Sequence, residues 1–293
     1  MLKRMFVFTV LLISTLLLVN QVVIPHVRRS RGNDELRLFR LQKGREIIAR
    51  AVAAHGGLET WQSKIDVSFR MTDKWNSGAG SVAADWLDLW PARTVDTKQY
   101  YLLHQNAGRI ELSTEAGQHV WGYSDLRPWA LLNGRIDAEN VARARFTIPA
   151  VDYLFELPYK FVDKGAFPEF VNEVKHDGRI YDRVRVTFGL NAGKYPPDEY
   201  VADFDHESGR LARLEFTVRE KTPGYVTFSA NFSNYKETDG IWIPAQVDFS
   251  IIEPLVCLPL HQWQISEVRF NTGVEEKFFS PADLMLSDAS RHY

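Results

Sequence analysis

Apolar residues recur at every second position through much of this chain, and that period limits its fold more than any other feature. Ile65, Val67, Phe69 and Met71 alternate with Asp66, Ser68, Arg70 and Thr72. The same beat returns at Val184, Val186 and Phe188, at Leu214, Phe216 and Val218, at Val226, Phe228, Ala230 and Phe232, and at Val247, Phe249 and Ile251. Successive side chains of a strand point to opposite faces, so this pattern predicts antiparallel strands with one covered and one wet face. Asp177-Gly178, Asp239-Gly240 and Ser208-Gly209 stand between such runs, where a tight turn needs residues that tolerate positive φ, and they predict hairpins linked in sequence. Beyond Trp263 and Ile265 the alternation slips phase to Val268 and Phe270, the signature of a bulge and a bent strand. The expected fold is mainly β (α+β), with about eleven strands in one strongly curved antiparallel sheet.

Two segments break the period. Residues 33–55 read as a helix capped by Asn33 or Asp34, with Leu36, Phe39, Leu41, Ile47, Ile48 and Val52 as apolar positions and Gly56-Gly57 as a left-handed stop. From Ala138 to Tyr159 the chain predicts a helix over 138–146, then Pro149 and the apolar-aromatic run Val151 to Leu157, which closes over the sheet as a lid or fills it as a helical plug. No Gly/Ser linker or composition shift surrounds this insert. The chain therefore divides into 1–32, an apolar segment with a basic flank, and 33–293, one curved-sheet domain.

Lys3 and Arg4 precede an apolar run over residues 5–24, ended by Pro25 and by Arg28, Arg29 and Arg31. At ~1.5 Å per residue the run spans ~30 Å, one hydrocarbon core. No Ala-x-Ala cleavage pattern follows, so the expectation is an uncleaved membrane-spanning anchor, a removed signal being the alternative. Charge flanks the run on both sides and leaves orientation open.

Much chemistry is excluded. Thirty-five Lys and Arg against 37 Asp and Glu give a net charge of −2, which lacks the basic footprint of a nucleic-acid binder. The single cysteine, Cys257, rules out an internal disulfide or a cysteine metal cluster and reads as a buried thiol in Leu255-Val256-Cys257-Leu258. No Gly-x-Ser-x-Gly, Walker loop, Gly-x-Gly-x-x-Gly or His-Glu-x-x-His occurs. No two of the eight histidines have metal-ligand spacing, His104 and His119 being the pair that could meet across strands, and Asp203 with Asp205 flanks a turn. The expectation is no enzyme, no cofactor and no metal.

Five segments resemble a known family: Ala53-Ala54-His55-Gly56-Gly57-Leu58 to Trp61; Leu154-Phe155-Glu156-Leu157-Pro158-Tyr159 followed by Asp163-Lys164-Gly165; Tyr200 to Asp205 with Ser208-Gly209; Tyr235 to Pro244, containing Asp239-Gly240-Ile241-Trp242; and Phe270-Asn271 with Phe279-Ser280-Pro281. In this order, over roughly residues 45–285, the chain is similar to bacterial envelope proteins of the lipoprotein-carrier (LolA-like) superfamily. The resemblance implies a half-open antiparallel barrel around a helix, outside the cytoplasm, whose apolar concavity receives acyl chains. It implies a single-pass inner-membrane protein with its globular domain in the periplasm, or a secreted form if residues 5–24 are removed, and an envelope protein as a further partner.

The ligand contacts rest on pattern rather than on the family. Phe69 and Met71 of the first strand, Trp86 and Trp90 before Pro91, Tyr153, Leu154 and Phe155 of the insert, and Phe228 and Phe232 on an inward face are the candidates for a lipid-binding apolar pocket. Aromatic residues form 13% of the chain, with eight Trp and eighteen Phe. The competing reading is that these residues fill the core of a closed barrel or sandwich, whose outer face binds an envelope partner.

Overall fold

The computed structural model describes residues 34–189, 198–253 and 257–281. The apolar run at residues 5–24 and its reading as a membrane anchor lie outside them. Among the described residues no helix is long and apolar enough to cross a membrane.

Thirteen strands, rather than about eleven, form one antiparallel sheet: β1 (Asp66–Trp75), β2 (Thr94–Leu102), β3 (Ala107–Thr114), β4 (Gly117–Ser124), β5 (Arg127–Leu132), β6 (Arg135–Ile136), β7 (Ala166–His176), β8 (Arg179–Phe188), β9 (Tyr200–Asp205), β10 (Leu211–Phe216), β11 (Thr227–Thr238), β12 (Ile241–Glu253) and β13 (Leu258–Phe270). Among the described residues four α-helices accompany the sheet: α1 (Asp34–Ala54), α2 (Leu58–Gln62), α3 (Ala79–Leu87) and α4 (Val141–Phe155).

The strand order is β6-β5-β4-β3-β2-β1-β13-β12-β11-β10-β9-β8-β7. Two meanders, β1–β6 and β7–β13, are therefore zipped together where β1 pairs β13, with Val67 opposite Phe270 and Trp75 opposite His261. The free edges are β6 and β7, which are consecutive in the chain, so the sheet is not closed. Residues 137–165 must travel from one edge to the other, and they do so as α4 followed by the 3-10 turn Tyr159–Val162.

The expected turns are present. Asp177 and Gly178 (φ 50° and 79°) join β7 to β8, and Asp239 and Gly240 (φ 49° and 80°) join β11 to β12, as a two-residue hairpin with both φ positive requires. The β13 bulge lies at Glu267 (φ 52°), where the register with β1 shifts between Ser68 and Arg70. Ile65 precedes β1 and is exposed, so the inward set of β1 is Val67, Phe69, Met71, Asp73 and Trp75.

α1 packs on β7 and β8 through Ile47, Ile48, Ala51 and Val52, with Arg50 paired to Asp182. α4 packs on β3, β4 and β5. Here the sequence reading needs correction, because Pro149 does not end the helix. It removes one backbone donor, yet Ala144, Thr147, Ile148, Val151, Asp152 and Phe155 are buried on one side of a helix that continues to Phe155. The close approach depends on Gly108 of β3, where a Cβ would lie 2.5 Å from Ile148 Cγ2 and 2.6 Å from the Tyr101 ring.

Three of the quoted segments converge at one end of the sheet. Tyr159 stacks on Trp61 with ring centroids 4.4 Å apart and donates from its hydroxyl to the His55 carbonyl at 2.7 Å. The Trp242 amide donates to the same carbonyl at 2.9 Å. Gly56 (φ 119°) sits against the Gly240 carbonyl, from which a Cβ would be 2.1 Å away. These segments lock the chain end that precedes β1 to the β11–β12 hairpin.

Candidate functional site

The helix-covered side of the sheet carries one apolar cluster, from Ile47 of α1 through Val67, Ile110, Trp121, Val184, Phe204, Val247 and Trp263 of the strands to Ile148 and Val151 of α4. Where α4 crosses the central strands a small cavity remains, lined by Phe69, Val151, Leu154, Phe155, Phe232, Pro244, Val247, Trp263 and Ile265. Its volume is about 10 Å³, room for at most one water, and its wall is almost entirely apolar. Phe155 of α4 covers Phe69 of β1 ring on ring, centroids 4.6 Å apart.

The structure brings four of the nine predicted contacts, Phe69, Leu154, Phe155 and Phe232, to this cavity. Met71 is buried one rung along β1, with Gln99 Nε2 3.6 Å from its sulfur. Tyr153 leans toward the other meander and stacks on Tyr200, 5.2 Å between centroids. Trp90 belongs to the same core and lies against Trp121. Phe228 sits apart, in a second cluster with Trp75, Leu87, Val226 and Leu260 beneath α3. Trp86 is a correction: it stands on the outward side of α3, 47% exposed, because Leu87 takes the inward position next to it. Cys257 also departs from expectation, being exposed at the approach to β13. His104 lies edge-on to Trp61 and His119 is bonded to Thr114, so those two histidines do not meet.

Polar groups on the inward faces escaped the sequence reading. On β2, Tyr101 donates to Gln99 Oε1 at 2.6 Å, Gln99 Nε2 donates to Thr97 Oγ1 at 2.9 Å, and Thr97 donates to the Met71 carbonyl at 2.9 Å, a chain of buried bonds under α4. On β1, fully buried Asp73 accepts from the Trp90 and Trp263 indoles. Their signal was phase: Thr97, Gln99 and Tyr101, like Asp73, share the parity of inward residues on their strands.

α4 itself carries an electrostatic fault. Burial, and then the neighbouring Glu156 carboxylate, hold the Asp152 pKa well above the usual carboxylate range, against the pull of Lys160. Its Oδ1 has no hydrogen-bond partner, whereas Glu156 is answered by Lys160 Nζ at 2.9 Å. A buried polar atom without a partner costs about 1–3 kcal/mol.

Elsewhere, Glu173, Asp182 and His206 approach one another at the β7–β8 end. Asp182 already pairs with Arg50 and accepts from His206 Nδ1 at 3.0 Å, so that group reads as an ion-pair network.

No protein-family model and no curated protein matches the sequence. Solved structures do match in shape. A domain described as an outer membrane lipoprotein-sorting protein from Vibrio parahaemolyticus is 15% identical, with a TM-score of 0.48 over 84% of this chain and 99% of the other. A LolA superfamily protein from Nitrosomonas europaea is 11% identical, with a TM-score of 0.46 over 81% of this chain and 97% of that one. A DUF1329 family protein from Desulfovibrio piger is 13% identical, with a TM-score of 0.47 over 84% and 99%.

Proposed function

We propose that this chain is a non-enzymatic binding protein for the acyl chains of lipids or lipoproteins, held between α4 and the concave face of the sheet. It is tethered through residues 5–24 to the inner membrane, with residues 33–293 as one domain on the periplasmic side. The observation that carries the reading is the apolar cavity at the crossing of α4 over Phe69, Phe232 and Trp263, closed by a helix that carries the buried acid Asp152.

Magnitudes favour exchange of helix for ligand. Burying Ile148, Val151 and Phe155 contributes roughly 1.5–3 kcal/mol each, and an acyl segment of about ten methylenes contributes about 8 kcal/mol. A chain that enters as α4 moves out therefore replaces what the helix loses. In this reading Phe69, Met71, Leu154, Phe155 and Phe232 touch the ligand, Tyr153 moves with the helix, and Trp90, Trp86 and Phe228 stand toward the α3 end.

A second reading is favoured by the size of the cavity. With about 10 Å³ free, the interior is filled as it stands, and a scaffold that binds an envelope protein on its outer surface needs no opening. Native mass spectrometry of the full chain purified from a bacterial envelope, with extraction and identification of whatever dissociates, separates the two. Acyl lipid at near one-to-one stoichiometry is the expected result. A ligand-free mass that persists after incubation with lipid would leave the scaffold.

A further inference from the structure

At the α3 end of the interior, Asp73 has no exposed surface and is surrounded by donors. Trp90 Nε1 and Trp263 Nε1 donate to its Oδ2 at 2.7 and 2.9 Å, and His261 Nδ1 donates to Oδ1 at 2.7 Å. The His261 ring is clamped as well. Trp75 and Phe249, its register partners on β1 and β12, lie flat on its two sides at 4.1 and 4.3 Å between centroids, with planes within 8° and 9°.

This assembly fixes one polar atom. With Nδ1 committed to Asp73 and both ring faces covered, Nε2 is the imidazole's remaining hydrogen-bonding position, the one not engaged by Asp73. A carboxylate that orients a histidine through one nitrogen presents the other in a set direction, an arrangement suited to holding something outside the protein. The ring keeps 6% of its surface exposed, so the position is not sealed.

Its place relative to the cavity is the second observation. Trp263 lines the cavity and shares Asp73 with His261, whose ring is 6.2 Å from the Trp263 ring, one rung farther along β13. The adjoining α3, packed against Leu260, turns Val82 and Trp86 to solvent beside the Asp85–Arg93 ion pair, so this end offers apolar and charged groups together.

We propose that His261 Nε2 is the polar contact for the oxygen-bearing head of an acyl lipid whose chain runs past Trp263 into the interior. The inference rests on the acyl-binding reading and adds to it a direction, head toward α3 and tail toward Phe69. Hydrogen bonding of an ester or hydroxyl oxygen at Nε2 separates such lipids from a bare hydrocarbon of equal length.

The test uses the full chain, delipidated and held in amphipol, with 1-monooleoylglycerol and the hydrocarbon 1-octadecene as probes. Carbethoxylation of His261 by diethyl pyrocarbonate, followed by mass spectrometry, is expected to slow at least fivefold with monooleoylglycerol and to be unaffected by octadecene. His261→Asn keeps a donor for Asp73 but has no atom at Nε2, and is expected to bind monooleoylglycerol about tenfold more weakly with octadecene binding unchanged; His261→Gln, which places an amide near Nε2, restores part of the loss. Equal protection by both probes overturns the proposal, as does unchanged monooleoylglycerol affinity in His261→Asn. Wild-type protein that binds neither probe removes the acyl-binding reading and this inference together, whereas selective failure of the histidine tests removes only the latter. Should His261→Asn not fold, protection of the wild-type residue decides the matter alone.

Discussion

Phe155 and Phe69 lie face to face, 4.6 Å between centroids and 4° between planes, and this pair is the contact by which α4 sits on the central strand of the sheet. One ring belongs to the crossing helix and the other to the strand that joins the two meanders.

Phe155→Ala is expected to lower stability by about 3 kcal/mol, the usual cost of truncating a buried aromatic. If α4 is the part that yields to a ligand, the same variant takes up the apolar dye N-phenylnaphthylamine more readily than wild type. Urea unfolding and a dye titration on the folded protein measure the two effects. Lower stability with unchanged dye uptake would mean that α4 is fixed core.

His55 gives the chain an acid-side weakness. Burial lowers its pKa from 6.5 to about 4, outweighing the bond from Nδ1 to the Ala51 carbonyl. The unfolded chain then binds the proton more readily than the folded one, so this contribution is intact above pH 6.5 and fades as pH falls through about 4. Its full size is about 3 kcal/mol. His55→Gln should flatten the stability profile between pH 6.5 and 4 in denaturant melts, and an unchanged slope would assign the acid sensitivity to other groups.

Asp152 acts in the opposite direction. Its folded pKa is raised, so its contribution is present below the ordinary carboxylate value and is lost as pH rises above it. Asp152→Asn removes the acid whose ionisation burial opposes. The variant should melt higher than wild type at pH 8 and lose that advantage near pH 4, as scanning calorimetry at the two pH values would show.

Gly56→Ala should cost about 3 kcal/mol or more, since it sets a side chain against the Gly240 carbonyl at a φ that L-residues rarely adopt. Chemical unfolding would register the loss. A neutral outcome would mean that the β11–β12 hairpin can shift away from His55.

The sheet was readable wherever apolar residues of β-branched or aromatic type kept strict alternation, as in β8, β11 and β12, and wherever Asp-Gly marked a turn. The strands from 107 to 136 were harder to read, since Gly108, Gly117 and Gly122 interrupt the alternation. Pro149 suggested an end to α4 because local propensity opposes proline inside a helix, yet burial of Ile148, Val151 and Phe155 outweighs one missing bond. Part of the cavity wall was visible in the sequence at Phe69, Leu154, Phe155 and Phe232, whereas Trp86 lies on the solvent side because one position on a short helix separates the inward face from the outward one. Asp73 and His261 were not legible for a related reason: a polar residue in an inward phase interrupts the apolar alternation, so only its phase can mark it as inward.

The seam between β1 and β13 has a consequence for how the molecule comes into being. β1 is among the first strands to be synthesised and its neighbour is the last, so the middle of the sheet is the final part to be assembled. Contacts so distant in sequence make folding slow, and until residues 258–270 arrive the inward residues Phe69, Met71 and Trp75 lack one of their two flanking strands. A nascent copy thus leaves the inward face of β1 exposed longest, and a chain cut before β13 would be a substrate for chaperones and proteases rather than a shortened working protein.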